Sequence, residues 1–138
     1  MIARSFIDTN ILVYTDDHDA AEKRIRALDT IKEARRTQRG VVSTQVLQEY
    51  FVSTTRKLGV EASLARRKVE LFARLQVVTV QVNVILAAID LQRLHSFSFW
   101  DALIVHSAKA AGCSVLLTED MQHRQEVEGL RIINPLLD

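Results

Sequence analysis

Short apolar segments alternate with longer amphipathic segments along the whole chain. The apolar segments are typical of β-strands, and we predict strands at 3–8, 41–43, 76–80, 113–118 and 129–135. The run 113–118 is largely apolar, as expected of a strand buried on both faces of a parallel sheet. The last segment ends at Pro135, which favours a position at the sheet edge.

The amphipathic segments carry apolar residues at the three- and four-residue spacing of α-helices. We predict a short helix after Asp8 and longer helices at 20–38, 44–59, 61–75, 83–95 and 96–112. In the first long helix, Ile25, Leu28 and Ile31 form the apolar stripe. Asn83 is expected to cap the helix that it begins, because asparagine accepts hydrogen bonds from a first turn.

The alternation of strands and helices predicts the fold class. Strands separated by helices connect through right-handed crossovers, which build a mainly parallel sheet. We therefore predict an α/β three-layer sandwich, in which a central sheet of about five strands is flanked by helices. The chain has 138 residues and shows no repeat, linker or low-complexity segment, so a single domain over 1–138 is expected.

Acidic residues stand where such a fold collects ligands. Asp8 ends the first predicted strand, Asp120 follows the fourth, and Asp101 lies in the first turn of the helix that precedes the fourth. Because the carboxyl ends of parallel strands meet at one edge, these three carboxylates are expected to converge. Like charges at close range require protons or a cation between them.

The type of cation follows from the ligand atoms. Carboxylate oxygens favour a hard divalent ion, Mg²⁺ or Mn²⁺. The chain has one cysteine, Cys113, and no histidine pair at metal-binding spacing, which argues against a zinc site. The single cysteine also suits a reducing compartment.

Each acid also has an ordinary structural interpretation. Asp8, Thr9 and Asn10 are all good helix caps, and Ser98 with Asp101 three residues later fits a capping box. Capping and metal binding are compatible, since a cap can leave a carboxylate oxygen free. The coincidence of the three acids favours a metal site over capping alone.

Four segments in order resemble the motifs of PIN-domain nucleases, most closely the VapC-type toxins of bacterial toxin–antitoxin pairs. The segments are FIDTNILVY, STQVLQEY, SFWDALIVHSA and VLLTED, and the likeness extends from Phe6 to Pro135. The resemblance implies an endoribonuclease that hydrolyses RNA phosphodiesters with Mg²⁺ or Mn²⁺. Its catalytic positions correspond to Asp8, Glu49, Asp101 and Asp120. Of these, Asp8, Asp101 and Asp120 would be the metal ligands, supported by Asn10 and Thr118.

Two positions qualify this assignment. Glu49 shares a helical stripe with Gln45 and Ser53, and periodicity alone interprets that stripe as solvated surface. Its catalytic role is therefore implied only by the resemblance. Gln122 stands where many members of the family have a further Asp or Asn, and an amide is a poorer ligand than a carboxylate. We predict one strong metal site, and the number of ions stays open.

The charge pattern contributes less. The net charge of +1 does not by itself indicate nucleic-acid binding, but the basic residues are clustered. Candidate phosphate contacts for RNA are Arg35, Arg36, Arg39, Arg56 and Lys57. Phe97, Phe99 and Trp100 flank the start of a helix, and we interpret them as core or helix-entry packing more readily than as a surface for base stacking.

The resemblance also implies partners: an antitoxin protein that places a basic side chain in the acidic site, and a second copy of the chain in a homodimer. No apolar run approaches the ~18 residues of a membrane span, and no secretory signal is evident, so a cytoplasmic location is expected.

Two other functions compete with the ribonuclease interpretation. A non-catalytic module that binds RNA or a partner on the same fold stays open because of Gln122. A phosphoacceptor receiver domain needs an Asp after the third strand and a Lys after the fifth. Those strands end in TVQVN and NPLLD, which excludes it.

Overall fold

One mainly parallel sheet organises the protein. The computed structural model describes residues 3–137; residues 1, 2 and 138, the ends of the predicted domain, lie outside them. The strands of the described part are β1 (Ser5–Ile7), β2 (Gly40–Ser43), β3 (Gln76–Val78), β4 (Val115–Leu117), β5 (Glu126–Val127) and β6 (Leu130–Ile133). The helices are α1 (Thr9–Tyr14), α2 (Ala21–Thr37), α3 (Thr44–Lys57), α4 (Ala62–Phe72), α5 (Val82–Leu94) and α6 (Phe99–Ala110). The predicted α/β class is confirmed.

The strand order is β3-β2-β1-β4-β6-β5, and only β5 pairs antiparallel. The prediction that 129–135 lies at the edge is wrong, because β6 pairs with β4 on one side and with β5 on the other. The edge strand β5 has two residues, too few to produce an apolar pattern. Glu128 and Gly129 connect it to β6 with φ of 51° and 82°, the left-handed backbone of a tight hairpin turn.

The two central strands bring the predicted acids to one edge of the sheet. Strand β1 pairs in parallel with β4, and Ile7 lies opposite Leu117. The next residues, Asp8 and Thr118, therefore leave the sheet side by side. The backbone N–H of Asp8 also donates to the carbonyl of Leu117 at 3.0 Å, which extends the pairing by one residue.

Helix α2 buries Ile31 of the predicted stripe but not Ile25, and two alanines complete its buried face. Ile25 is 57% exposed, whereas Ala27, Ile31 and Ala34 are buried. Alanines occupy the face toward the sheet because the helix lies very close to β2. A Cβ atom added to Gly40 would come within 2.6 Å of the Cβ of Ala34.

The predicted cap of α5 is also wrong. The helix begins at Val82, and Gln81 is its extended N-terminal residue, without a side-chain cap bond. Asn83 is already inside the first turn and is exposed, so its backbone is helical and it cannot act as the cap. Within residues 3–137, no helix has the length and hydropathy to cross a membrane.

Candidate active site

A pocket of about 760 Å³ opens at the carboxyl edge of β1 and β4. One face of each of three helices lines it, at the three- and four-residue spacing of a helix. These lining residues are Asn10, Val13 and Tyr14 of α1, Gln45, Gln48, Glu49 and Val52 of α3, and Trp100, Asp101 and Ile104 of α6. Asp8 and Asp120 complete the wall at the strand ends, so all four predicted catalytic acids line one pocket.

Asp8 is the most buried of the four acids and is 8% exposed. It is the N-cap of α1, and its Oδ1 accepts from the backbone N–H of Thr9 at 2.7 Å. Its Oδ2 accepts from the hydroxyl of Thr118 at 2.9 Å. The pKa of Asp8 is raised to about 6. Burial is the main cause, the nearby charges of Asp120 and Glu49 act in the same direction, and the hydrogen bonds from Thr118 and Thr9 oppose it.

Asn10 joins the ends of the two central strands. Its Nδ2 donates to Asp120 Oδ2 at 3.0 Å and to Thr118 Oγ1 at 3.1 Å, with a longer contact of 3.4 Å to Asp8 Oδ2. Its Oδ1 accepts from the backbone N–H of Glu119 at 3.2 Å. The amide therefore sits between two carboxylates and draws them together.

Glu49 reaches the same group from α3. Its Oε1 accepts from the hydroxyl of Thr9 at 2.8 Å and, at 3.4 Å, from Nε2 of Gln45. The polar stripe of α3 is thus a pocket wall, and Glu49 is half-buried. Sequence reasoning missed Thr9 and Gln45. The one available signal was their position, next to Asp8 and one turn before Glu49.

Asp101 combines the two interpretations weighed for it. The side chain of Ser98 accepts from the backbone N–H of Asp101 at 3.1 Å, which confirms the predicted cap of α6. This bond uses the main chain and leaves the carboxylate free. Within residues 3–137 the carboxylate has no hydrogen-bond partner, and Asp101 lines the pocket.

Glu119 makes its side-chain hydrogen bonds to Tyr14 and Lys23, away from the group around Asn10. It accepts from the hydroxyl of Tyr14 at 2.6 Å and from Nζ of Lys23 at 2.9 Å. The hydrogen bond to Glu119 raises the pKa of Tyr14. Gln122, two residues after Asp120, is exposed. Neither residue adds a carboxylate to the group around Asn10.

The predicted metal ligands carry the oxygen atoms that suit a hard cation, but their side chains do not meet at one point. Among residues 3–137, no three acidic, histidine or cysteine side chains are grouped closely enough to hold an ion. Asp8 and Asp120 converge through the amide of Asn10, while Glu49 and Asp101 occupy other walls of the pocket. All four supply carboxylate oxygens, the atoms that Mg²⁺ and Mn²⁺ prefer. A cation would also relieve the repulsion from Asp120 and Glu49, which adds to the effect of burial on the pKa of Asp8.

The predicted RNA-contacting cations are divided between two regions. Lys57 lines the pocket, and Arg56 is its exposed neighbour. The other three precede β2 at the amino edge of the sheet and do not line the pocket: Arg35, Arg36 and Arg39.

Trp100 is not part of the core, although it packs against Phe99 at the start of α6. Its side chain is 60% exposed and lines the pocket, whereas Phe97 and Phe99 pack against the core. Consecutive helical residues point about 100° apart, so Phe99 and Trp100 cannot both face the interior.

Comparison with known proteins places this geometry in a family. The sequence profile of the PIN domain matches residues 5–126. No curated protein is a significant match in sequence.

Solved structures are similar in fold at low sequence identity. The sarcin–ricin-loop-cleaving toxin VapC20 of Mycobacterium tuberculosis has a TM-score of 0.66 at 20% identity, over 84% of this chain and 91% of its own. A toxin–antitoxin complex from Klebsiella pneumoniae gives 0.69 at 18%, over 95% and 97%. DNA-bound VapBC from Salmonella typhimurium gives 0.67 at 19%, over 95% and 97%. The family match covers most of the chain and agrees with the fold, and the protein belongs to the PIN domain family.

Proposed function

We propose that this protein is a metal-dependent endoribonuclease and the toxin of a toxin–antitoxin pair. The observation that carries the proposal is the link between Asp8 and Asp120 through Asn10 and Thr118, at the edge of a pocket that Glu49 and Asp101 also line. Membership of the PIN family supports it, as do toxin structures with the same fold.

Asp8, Asp101 and Asp120 are the proposed ligands for Mg²⁺ or Mn²⁺. When bound, a divalent ion lowers the pKa of water and neutralises charge on a phosphodiester oxygen. Glu49 serves as a further ligand or as the base that orients and deprotonates the attacking water.

Neighbouring polar groups hold these carboxylates in position. Thr118 and the N–H of Thr9 restrain the two oxygens of Asp8, so that its orientation does not depend on the ion. Asn10 restrains Asp120 in the same way. Arg56 and Lys57 are proposed to contact RNA phosphates beside the pocket.

Metal-dependent cleavage of RNA by variants of one acid tests the proposal. Asp8→Asn preserves the cap of α1, because asparagine also caps well, but removes the charge. We expect wild type to cut structured RNAs with Mg²⁺ or Mn²⁺ and to stop when EDTA is added, and Asp8→Asn to lose at least ~100-fold in rate.

Asp29→Asn is the matched control, since Asp29 is an exposed acid of α2 outside the pocket. It should cleave like wild type. Cleavage by Asp8→Asn at the wild-type rate contradicts the assignment.

The protein partner is proposed to be an antitoxin that fills the pocket with a basic side chain. The acidic lining of the pocket supports this, and a toxin–antitoxin complex is among the structures of similar fold. The cytoplasm, where RNA and such an antitoxin meet, is the proposed location. Co-expression with the protein encoded next to it, followed by co-purification, tests the pairing.

A homodimer is proposed through α5. Val82, Leu86 and Ile89 form an exposed apolar stripe, 69%, 57% and 40% exposed. Asp90 and Arg93 are exposed on the same helix, and a two-fold contact would bury the stripe of one copy against the same stripe of the other. Leu86→Glu should convert the dimer to a monomer in light scattering, and a monomeric wild type contradicts the proposal.

A non-catalytic module that binds RNA or a partner is the second candidate. The absence of a ready three-carboxylate cluster within residues 3–137 favours it. A correctly folded wild type that binds RNA but cleaves no RNA with either ion would support this function instead.

A further inference from the structure

Gln45 presents a buried hydrogen-bond acceptor that has no partner. The residue is 6% exposed and lines the pocket, and its Nε2 is engaged by Glu49. Within residues 3–137, its Oε1 receives no hydrogen bond. An unmatched buried acceptor costs about 1–3 kcal/mol, so a donor from a ligand in the pocket would recover this cost.

Trp100 gives the same pocket an exposed aromatic face. It is held edge-to-face by Phe99 at 5.2 Å between ring centroids, yet 60% of its surface is accessible. Ile104 lies one turn along α6 and is almost fully buried, and Val52 on α3 faces the pocket from the other side. We call the apolar part of the pocket wall that Trp100, Val52 and Ile104 contribute the slot.

We propose that this slot binds one unpaired nucleotide of the RNA, with its base stacked on Trp100 and a donor of that nucleotide bonded to Oε1 of Gln45. This rests on the proposed function, and it adds what the pocket recognises. The pocket volume of about 760 Å³ lies within the range of ~300–1,000 Å³ that small-ligand sites occupy.

An unpaired base fits this slot better than a paired base or an arginine. A base within a duplex has both faces covered by its neighbours and its edge occupied, so it cannot stack on a protein ring. An arginine side chain would be drawn to the carboxylates of the same pocket, whereas a neutral ring suits the surface formed by Val52, Trp100 and Ile104. The donor is either a base N–H or the ribose 2′-hydroxyl, since both present a hydrogen to an amide oxygen.

Trp100 is the only tryptophan of the chain, so fluorescence excited selectively at tryptophan reports on it alone. The full chain carrying Asp8→Asn, which keeps the RNA intact, is titrated with an unpaired uridine hexamer in Mg²⁺. A base-free hexamer with the same phosphates and the same hexamer in a duplex are the comparisons. We expect the unpaired hexamer to quench Trp100 and to bind about tenfold more tightly than either, because base stacking contributes ~1–3 kcal/mol.

Substitutions at Gln45 identify the donor. Gln45→Leu should weaken binding of the unpaired hexamer, whereas Gln76→Leu should not, since Gln76 is an exposed residue outside the pocket. A deoxyribose hexamer that binds wild-type Gln45 as weakly as the Gln45→Leu variant binds RNA assigns the contact to the 2′-hydroxyl. A loss with 3-methyluridine instead assigns it to the base.

The outcomes separate this proposal from the proposed function. If wild type cleaves RNA but no unpaired RNA quenches Trp100, the nucleotide slot is wrong and the ribonuclease stands. If the unpaired hexamer quenches Trp100 as expected and wild type cleaves nothing, the slot stands and the ribonuclease is wrong. Quenching by an arginine-containing peptide but by no RNA overturns the slot in favour of a protein ligand. With binding followed by the anisotropy of a fluorescently labelled hexamer, Trp100→Phe should retain binding that Trp100→Leu loses, at equal thermal stability.

Discussion

The hydroxyl of Thr9 donates a hydrogen bond of 2.8 Å to Oε1 of Glu49, across 40 positions of the chain. Thr9 is the first residue of α1, directly after the capping Asp8, and Glu49 lies on α3. One bond therefore fixes the carboxylate of a helix against the start of another, beside the most buried acid of the pocket.

Thr9→Val tests whether this bond positions Glu49 for catalysis. Valine keeps the shape of threonine and removes the hydroxyl, and a single hydrogen bond contributes about 1 kcal/mol to stability. We expect RNA cleavage to fall about tenfold while the urea midpoint moves little. Thr9→Ser, which retains the donor, should recover most of the rate. If Thr9→Val cleaves like wild type, Glu49 does not need this bond.

Asp101→Asn should separate catalysis from folding. Ser98 caps α6 through the backbone N–H of Asp101, which the substitution leaves in place. Removing one of several repelling carboxylates should hold or raise the melting temperature, while Mg²⁺-dependent cleavage collapses.

Ser98→Ala is the complementary variant, because it removes the cap and leaves the carboxylate. It should cost about 1 kcal/mol of stability. If Asp101→Asn retains cleavage, Asp101 is not catalytic. If it loses as much stability as Ser98→Ala, the role of Asp101 is purely structural.

A polar network beneath the pocket should matter for stability more than for chemistry. Tyr50 donates from its hydroxyl to Oδ2 of Asp16 at 2.5 Å, and Lys68 donates to Oδ1 at 2.7 Å. The ring of Tyr50 is fully buried, and the side chains of Asp16 and Lys68 are only 13% and 20% exposed. This network joins the end of α1 to α3 and α4.

Asp16→Ala leaves the Tyr50 hydroxyl without its acceptor and leaves the Lys68 ammonium with only the hydroxyl of Thr15 as acceptor. We expect a loss of about 2–3 kcal/mol in the free energy of unfolding, measured by urea denaturation. Asp29→Ala, an exposed acid on α2, should change it by less than ~0.5 kcal/mol. Equal losses in the two variants would show that the network does not stabilise the fold.

Cys113 should be unreactive in the native protein. Burial raises the pKa of its thiol to about 11, from an ordinary 9.0. At pH 8 we expect slow modification by a disulfide reagent in buffer and rapid modification in denaturing urea, since only the thiolate reacts.

The same shift predicts a pH dependence. The folded state favours the neutral thiol, so this contribution to stability is complete below about pH 9 and is lost as the pH rises toward 11. Cys113→Ala should remove this part of the alkaline decline. Fast native modification at pH 8 would contradict the burial argument.

Sequence patterns predicted the sheet and its acidic edge because both depend on local rules. The residues that follow two neighbouring parallel strands must lie close together, so the sequence predicts that Asp8 and Asp120 converge. Strand β5 escaped prediction because two residues carry no periodic signal.

The pocket residues that the sequence did not predict share one physical reason. Gln45 and Trp100 lie on helix faces that are polar or mixed, and periodicity distinguishes the core from everything else. It cannot tell a face that meets bulk water from one that meets a pocket, because that depends on which helix stands opposite. The buried amide of Gln45 and the exposed ring of Trp100 became visible only when α3 and α6 were placed around one cavity.

Trp100 and Asp101 are consecutive residues in the capped first turn of α6. Under the proposed nucleotide slot, Trp100 marks where a base is held, and under the proposed function, Asp101 marks where the backbone is cut. Their separation is set by a single peptide unit within a hydrogen-bonded turn, so it cannot stretch when the RNA changes. Cleavage would then occur at a constant number of nucleotides from the recognised base, whatever sequence lies further along the strand.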